Sequence, residues 1–270
     1  DGNNLDEIDA AIRSAQQDER PSLIIITTHI GYGSPKKQDT AAVHGSPLGA
    51  EELVSTKQNL NWPLEPSFYI PDQVRAHMNS KIDAGRDLED AWNSQMQRYR
   101  EHYPHLTDEL AALQNGELPG DWEQAIPNFD SLEKPLATRE ASGQIMNAVA
   151  PALPLFVGGS ADLAPSNNTH LNNYGDVVRN NWDKSERNIH FGIREHSMGA
   201  IVNGMAVSRM LIPFASTFFI FSDYMRASMR LSALMKLQSI YVLTHDSFLQ
   251  GEDGATHQPI DHLAAFRAMP

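Results

Sequence analysis

No cysteine occurs anywhere in the 270 residues. That excludes disulfides and thiolate chemistry and agrees with a reducing compartment. Long apolar runs are also missing. The longest, such as Leu23 to Ile26 and Phe218 to Phe221, are far too short to cross a bilayer, and the N-terminus has no basic-then-apolar signal pattern. We therefore expect a soluble, cytoplasmic protein with no membrane partner. Positive charge is in deficit: 21 basic side chains face 34 acidic ones, for a net charge of -13. Such a diffuse field repels a phosphate backbone, so nucleic acid is not an expected partner. Any smaller phosphorylated ligand would need a local cluster of Arg, His and backbone N–H groups. The chain shows no internal repeat and no low-complexity segment.

What is present is ordinary globular composition, with 41% hydrophobic and 20% charged residues. Leu5, Ile8, Ile12 and Ala15 follow helical spacing behind an Asn4 cap, and the β-branched run Ser22 to Thr28 predicts a strand. The chain begins without Met, and one helix with one strand cannot make a sheet, so further residues are expected upstream. A mostly helical tract is expected from about Gly49 to Asn115, with Pro71 opening one helix and Thr107-Asp-Glu capping another. Pro119, Gly120, Pro127 and Pro135 then mark a connection. The expected division is a first domain over 1–115, a linker over 116–135 and a second domain over 136–270.

In the second domain helix and strand alternate: helix Ala137 to Val149, strands Leu155 to Gly158 and Asn188 to Phe191, helix Glu195 to Ser208, strand Ile212 to Ser216, helix Phe221 to Met235, strand Ser239 to Thr244. This order predicts an α/β fold with a mostly parallel sheet flanked by helices. The chain stops at Pro270 just past a helix, with no closing element.

Ligands of open α/β sheets sit at the carboxyl ends of strands. Four segments fall there. The loop Thr244 to Pro259 is dense in ionisable groups, with His245, Asp253 and His257 as candidates. A hydrogen-bonded structural loop is one alternative; a metal site is another, although the spacing matches no tight ligand motif. Glu195 falls in the first turn of a helix, where the helix dipole alone favours a carboxylate. It could equally be a buried acid holding a ring nitrogen. Phe218, Phe221 and Tyr224, spaced by three, are either core aromatics or a box that stacks on a flat ring. Gly158-Gly-Ser-Ala-Asp-Leu-Ala-Pro-Ser-Asn carries Asp162 and Ser166 directly after a strand, and its glycines suit a tight connection or close backbone approach to a ligand.

Taken in order, Ile30-Gly-Tyr-Gly-Ser, Val43-His-Gly-Ser-Pro-Leu, Ala137-Thr-Arg, the Gly158 segment, Gly192-Ile-Arg-Glu-His and Thr244-His-Asp-Ser with Gly251-Glu-Asp-Gly-Ala-Thr-His-Gln-Pro resemble the transketolase family across nearly the whole chain. The resemblance implies a thiamine-diphosphate-binding fold in which residues before about Gly116 end the diphosphate-binding domain. Those after Leu136 would begin the pyrimidine-binding domain, both domains being incomplete. It implies an obligatory homodimer with the cofactor at the subunit interface. The reaction implied is transfer of a two-carbon ketol unit from a ketose phosphate to an aldose phosphate, within the pentose phosphate pathway.

By the same resemblance Glu195 matches the glutamate that hydrogen-bonds the aminopyrimidine and activates the cofactor. Phe218, Phe221 and Tyr224 match the pocket around that ring, and Asp162 and Leu163 line the cofactor. His257 and Asp253 match residues that assist proton transfer and read substrate hydroxyls. Arg139, Ser166 and His245 match the sugar-phosphate clamp, and His44 reaches both diphosphate and substrate. His29 stands where the family often has a small or hydroxyl residue, and no role is assigned to it.

The family's Gly-Asp-Gly and downstream Asn, which hold Mg²⁺ (or Ca²⁺) and the diphosphate, are absent, so no metal ligand is expected here and the chain alone is expected to be inactive. The nearest competing readings are dihydroxyacetone synthase, then deoxyxylulose-phosphate synthase and the pyruvate dehydrogenase family. A non-catalytic transketolase-like subunit belongs to a different class.

Overall fold

A computed structural model describes residues 1–118, 120–130, 134–179, 183 and 185–269. Pro119 of the expected connection and the terminal Pro270 lie outside the described residues. The chain divides into two compact units, Asp1–Asn93 and Ser94–Pro270.

The first unit opens with α1 (Leu5–Gln16), and the Glu7 N–H donates to the Asn4 side chain as the Asn cap predicts. The strand expected over Ser22 to Thr28 does not form. The segment is β-branched, but a strand needs a neighbour for its N–H and C=O groups. Here, among the described residues, the one backbone bond to this stretch comes from the Gly2 N–H to the Thr27 carbonyl at 2.8 Å. Further on, α2 (Ala50–Asn59) starts after Gly49, whose φ of +86° suits glycine. Buried Glu52 on α2 fastens the preceding loop, accepting from the Ser34 hydroxyl at 2.5 Å and the Lys36 N–H at 2.8 Å. The Ser34 bond, then the Lys36 N–H, holds this carboxyl below the usual glutamate range. The helix α3 (Asp72–His102) begins directly after Pro71, as expected.

In the second unit α4 (Pro104–Gln114) starts at a proline in its first turn. Thr107 is therefore not its cap. It is buried inside the helix and donates its hydroxyl back to the Tyr103 carbonyl. Then follow α5 (Thr138–Val149), β1 (Phe156–Ser160), α6 (Ala164–Asn167), β2 (Gly175–Asp176), β3 (Glu186–His190), α7 (Glu195–Val207) and β4 (Ile212–Phe218). After a 3₁₀ stretch over Phe219–Tyr224 come α8 (Arg226–Leu234), β5 (Ile240–Thr244) and α9 (His262–Arg267). The single helix expected from Phe221 to Met235 is thus two elements.

The five described strands form one parallel sheet in the order β2-β3-β1-β4-β5. Successive residues of a strand face opposite sides, and β4 shows the result. Phe214 packs with Met146, Val149, Leu153 and Phe156 on the α5 side, its ring 4.9 Å from that of Phe156. Ala215 packs with Met198, Val202 and Met225 on the α7 side. Gly158 lies inside β1, as the predicted strand has it, and Gly159, expected just after the strand, lies inside it too. A Cβ on Gly158 would sit 2.1 Å from the Phe214 carbonyl oxygen, and one on Gly159 would sit 1.8 Å from that of Ile189. The approach of β4 and β3 is enough to require these glycines.

Candidate functional site

The carboxyl ends of β1, β4 and β5 collect nearly all the predicted residues of the second unit. Glu195, the first residue of α7, is buried, and its Oε1 accepts from the Thr217 hydroxyl at 3.3 Å. A helix N-terminus suits that carboxylate. Among the described residues Thr217 is the side chain's one hydrogen-bond partner.

Phe218 ends β4 directly after Thr217. Its ring lies parallel to that of Phe221, with centroids 5.8 Å apart and planes at 9°. Tyr224 is next in line, 6.3 Å from Phe221 and largely exposed. The two expectations for these aromatics therefore divide: Phe218 is core, whereas Tyr224 presents its ring outward.

Two histidines pack on this box. His245 stacks on Phe218 at 3.7 Å, and the His257 ring stands edge-on to Phe221 at 5.2 Å. His245 has φ +57°, an uncommon conformation for a non-glycine residue. Arg139, in the first turn of α5, reaches it from 106 residues away, with Nη1 2.9 Å from His245 Nε2. Burial first, then the Arg139 charge, lower the His245 pKa below its usual value, against the opposing pull of Asp253 and Asp246. Asp253 accepts from the Gln250 side chain, and His257 Nδ1 meets the Thr256 hydroxyl at 2.8 Å. Arg139 and His245 line a cleft of about 590 Å³ with Ser142, Ser247 and Gln250.

Asp162, just past the end of β1, and Ser166, in α6, are exposed. Asp162 has φ +62°, and the Leu163 N–H is held by the Ser160 hydroxyl at 3.1 Å. His44 belongs to the first unit, where its N–H closes a 3₁₀ turn onto the Ala41 carbonyl and its side chain is exposed.

Sequence reasoning missed the polar residues beneath this surface. Asn167, Ser160, Ser216 and Thr244 form a buried network at the strand ends. The available signal was a small polar residue at or near the end of each central strand. It also missed Asp176, which pairs with His190 at 3.0 Å and His170 at 3.6 Å. The His190 bond is the main reason this carboxyl is held below its usual range. His170 and His190 line a separate cleft of about 820 Å³ that contains none of the predicted site residues.

Two family models divide the chain between them: the transketolase thiamine-diphosphate-binding domain matches residues 1–119, and the transketolase pyrimidine-binding domain matches residues 134–270. The chain belongs to the transketolase family. It is 52% identical to a chloroplastic transketolase of Craterostigma plantagineum over its whole length and 47% identical to the transketolase of Bacillus subtilis. It spans 52% and 40% of those two relatives, respectively. A crystal structure of Pichia stipitis transketolase in complex with sedoheptulose-7-phosphate superposes with a TM-score of 0.90 at 38% identity, covering 99% of this chain and 40% of that one. Transketolase from Leishmania mexicana gives 0.89 with the same identity and coverage. The α/β fold with a parallel sheet is thus that of the thiamine-diphosphate-binding transketolases.

The residues present fit one end of that cofactor. A buried carboxyl whose one hydrogen-bond partner among the described residues is the Thr217 hydroxyl, and two parallel rings that begin at the next residue of β4, suit an aminopyrimidine that offers ring nitrogens and a flat face. For the other end, the described residues contain no grouping of three or more His, Asp or Glu side chains placed to hold a metal ion.

Proposed function

We propose that this chain carries the pyrimidine-activating part of a transketolase active site together with its sugar-phosphate clamp. The parent reaction is reversible transfer of a two-carbon ketol unit from a ketose phosphate to an aldose phosphate, serving the pentose phosphate pathway in the cytoplasm. The observation that carries this reading is the convergence, at the carboxyl ends of β4 and β5, of buried Glu195, the Phe218 and Phe221 rings and the Arg139–His245 pair.

Thiamine diphosphate, when bound, supplies a nucleophilic carbon that carries the two-carbon unit. Glu195 holds and shares a proton at the pyrimidine ring nitrogen. Phe218, Phe221 and Tyr224 grip the ring and exclude water, and Asp162 and Leu163 flank the cofactor. His257 and Asp253 move protons on substrate oxygens and read a hydroxyl. Arg139, Ser166 and His245 form the sugar-phosphate clamp, with its positive charge on Arg139 and His245 seated against that guanidinium. His44 serves both diphosphate and substrate from the first domain.

The proposed domain division is 1–115, a linker over 116–135, and 136–270. The proposed assembly is a homodimer with cofactor and Mg²⁺ between subunits, the metal held outside this chain, so that the chain alone is inactive. The test is turnover by the intact protein of xylulose phosphate with ribose phosphate, compared with formaldehyde as acceptor. Preference for the sugar acceptor supports the reading, and preference for formaldehyde would replace it with dihydroxyacetone synthase. Calorimetry on the isolated chain with thiamine diphosphate and Mg²⁺ should show weak or no binding; tight binding refutes the placement of the metal half outside it.

A further inference from the structure

The Arg139–His245 contact has a fixed direction. A guanidinium only donates, so His245 Nε2, 2.9 Å from Arg139 Nη1, must be the acceptor. In a neutral ring the proton then sits on Nδ1, 2.8 Å from Thr244 Oγ1, and is donated to that hydroxyl. The Thr244 hydroxyl proton is left to donate to Asn167 Oδ1 at 2.6 Å. Asn167 Nδ2 in turn donates to Ser216 Oγ at 2.7 Å and Ser160 Oγ at 3.3 Å, and Ser216 Oγ closes the run on the Val242 carbonyl at 2.9 Å. Each link from Arg139 to the Val242 carbonyl has one donor and one acceptor, and none is required to run backwards. Asn167 is fully buried and Thr244 nearly so, so these bonds form where water competes poorly.

We propose that Thr244 and Asn167 are positioning residues that hold His245 as its neutral Nδ1–H tautomer and so present Nε2 to steer the Arg139 guanidinium. The inference rests on the clamp reading of Arg139 and adds to it the buried parts that aim the clamp. Two features make such aiming necessary. Arg139 is exposed on a long side chain with much rotamer freedom to lose, and His245 stands at φ +57° on the Phe218 ring, a pose its own backbone preference does not supply. The lowered His245 pKa agrees with a ring that stays neutral beside the guanidinium. Ser216, Ser160 and the Val242 carbonyl anchor the far end to three strands of the sheet, so the direction of the run is set by the most rigid part of the fold.

The test uses Thr244→Val, which keeps the shape and removes the hydroxyl, and Thr244→Ser, which restores it, in the intact protein. Arg139→Ala is assayed beside them. With xylulose phosphate as donor, Thr244→Val should raise KM roughly tenfold, as expected for loss of one buried bond in the run. Its kcat should stay within about twofold, and KM for erythrulose, which has no phosphate, should not move. Thr244→Ser should return KM to its original value. Nitrogen NMR of histidine-labelled protein should find the His245 proton on Nδ1. An unchanged phosphate-donor KM in Thr244→Val while Arg139→Ala raises it overturns the positioning role and leaves the clamp standing. An unchanged KM in Arg139→Ala removes the clamp reading itself. Equal losses with both donors would make Thr244 merely structural, and a proton on Nε2 would reverse the run; either overturns the inference. If Thr244→Val does not fold, Asn167→Asp, which keeps the acceptor for Thr244 but cannot donate to the serines, is scored on the same two donors.

Discussion

The Thr217 hydroxyl reaches Glu195 Oε1 across 3.3 Å, tying the last-but-one residue of β4 to the first residue of α7. That bond uses one oxygen of a buried carboxyl and leaves the other available to a ring nitrogen. Glu195→Gln keeps the size and loses the shareable proton. In the intact protein turnover should drop by roughly 10²- to 10⁴-fold, the usual worth of a positioned acid or base, with unchanged circular dichroism. Near-normal turnover would remove Glu195 from the chemistry.

Arg139 is the charged member of the clamp that lies against His245. A charged hydrogen bond to a phosphate contributes about 1.5–3 kcal/mol, or roughly 10- to 100-fold in affinity. Arg139→Ala should therefore raise the KM for phosphorylated sugars by about that factor. Steady-state kinetics over a range of xylulose phosphate is the check, and a KM within error of the original contradicts the assignment.

Stability should fall as acid is added through the His245 transition. Burial and Arg139 depress the folded pKa of this ring below its ordinary 6.5, while Asp253 and Asp246 oppose the shift and His257 adds to it. The unfolded chain therefore binds the proton first. The ring's contribution is complete above about pH 6.5 and is lost as pH falls from there towards the lower folded value. His245→Gln should flatten that part of a denaturation-midpoint-against-pH curve; an identical slope in the variant would assign the dependence to other groups.

Much of the second unit was legible from the sequence, because buried parallel strands read as short β-branched runs and helices as periodic ones. The alternation from Ala137 to Thr244 therefore foretold the sheet, and the dense loop after Thr244 foretold where His245 and His257 would lie. What sequence could not show is pairing. Ser22 to Thr28 has every local mark of a strand and forms none, because no neighbouring strand among the described residues supplies its hydrogen bonds. Gly159 reads as the start of a turn because nothing local reveals that β3 presses on it. Thr244 carried only the weak signal of a small polar residue ending a strand and Asn167 none, since their role exists only once residues 77 positions apart come within 2.6 Å.

The crowding at β1 leads to a further expectation. Gly159→Ala would put a methyl 1.8 Å from the Ile189 carbonyl oxygen, closer than real atoms approach. Strands must shift, and we expect a loss of about 3 kcal/mol, the upper end of ordinary overpacking. Phe214→Ala, at a fully buried ring beside Phe156, should cost about 3–5 kcal/mol by leaving a cavity. Urea denaturation of the intact protein measures both. A Gly159→Ala midpoint equal to the parent's would show that β1 has slack.

The stretch Leu23 to Ile26 has another consequence, for how this chain behaves in a tube. Leu23 and Ile25 are 86% and 84% exposed, in a β-branched segment whose backbone makes one hydrogen bond among the described residues. Such a segment is a template on which another copy can add a strand, and its low charge and lack of proline do nothing to stop growth. Self-association of the isolated chain should therefore rise steeply with concentration. A lysine in place of Ile25 would act as a gatekeeper, improving solubility without touching the sheet that carries the clamp.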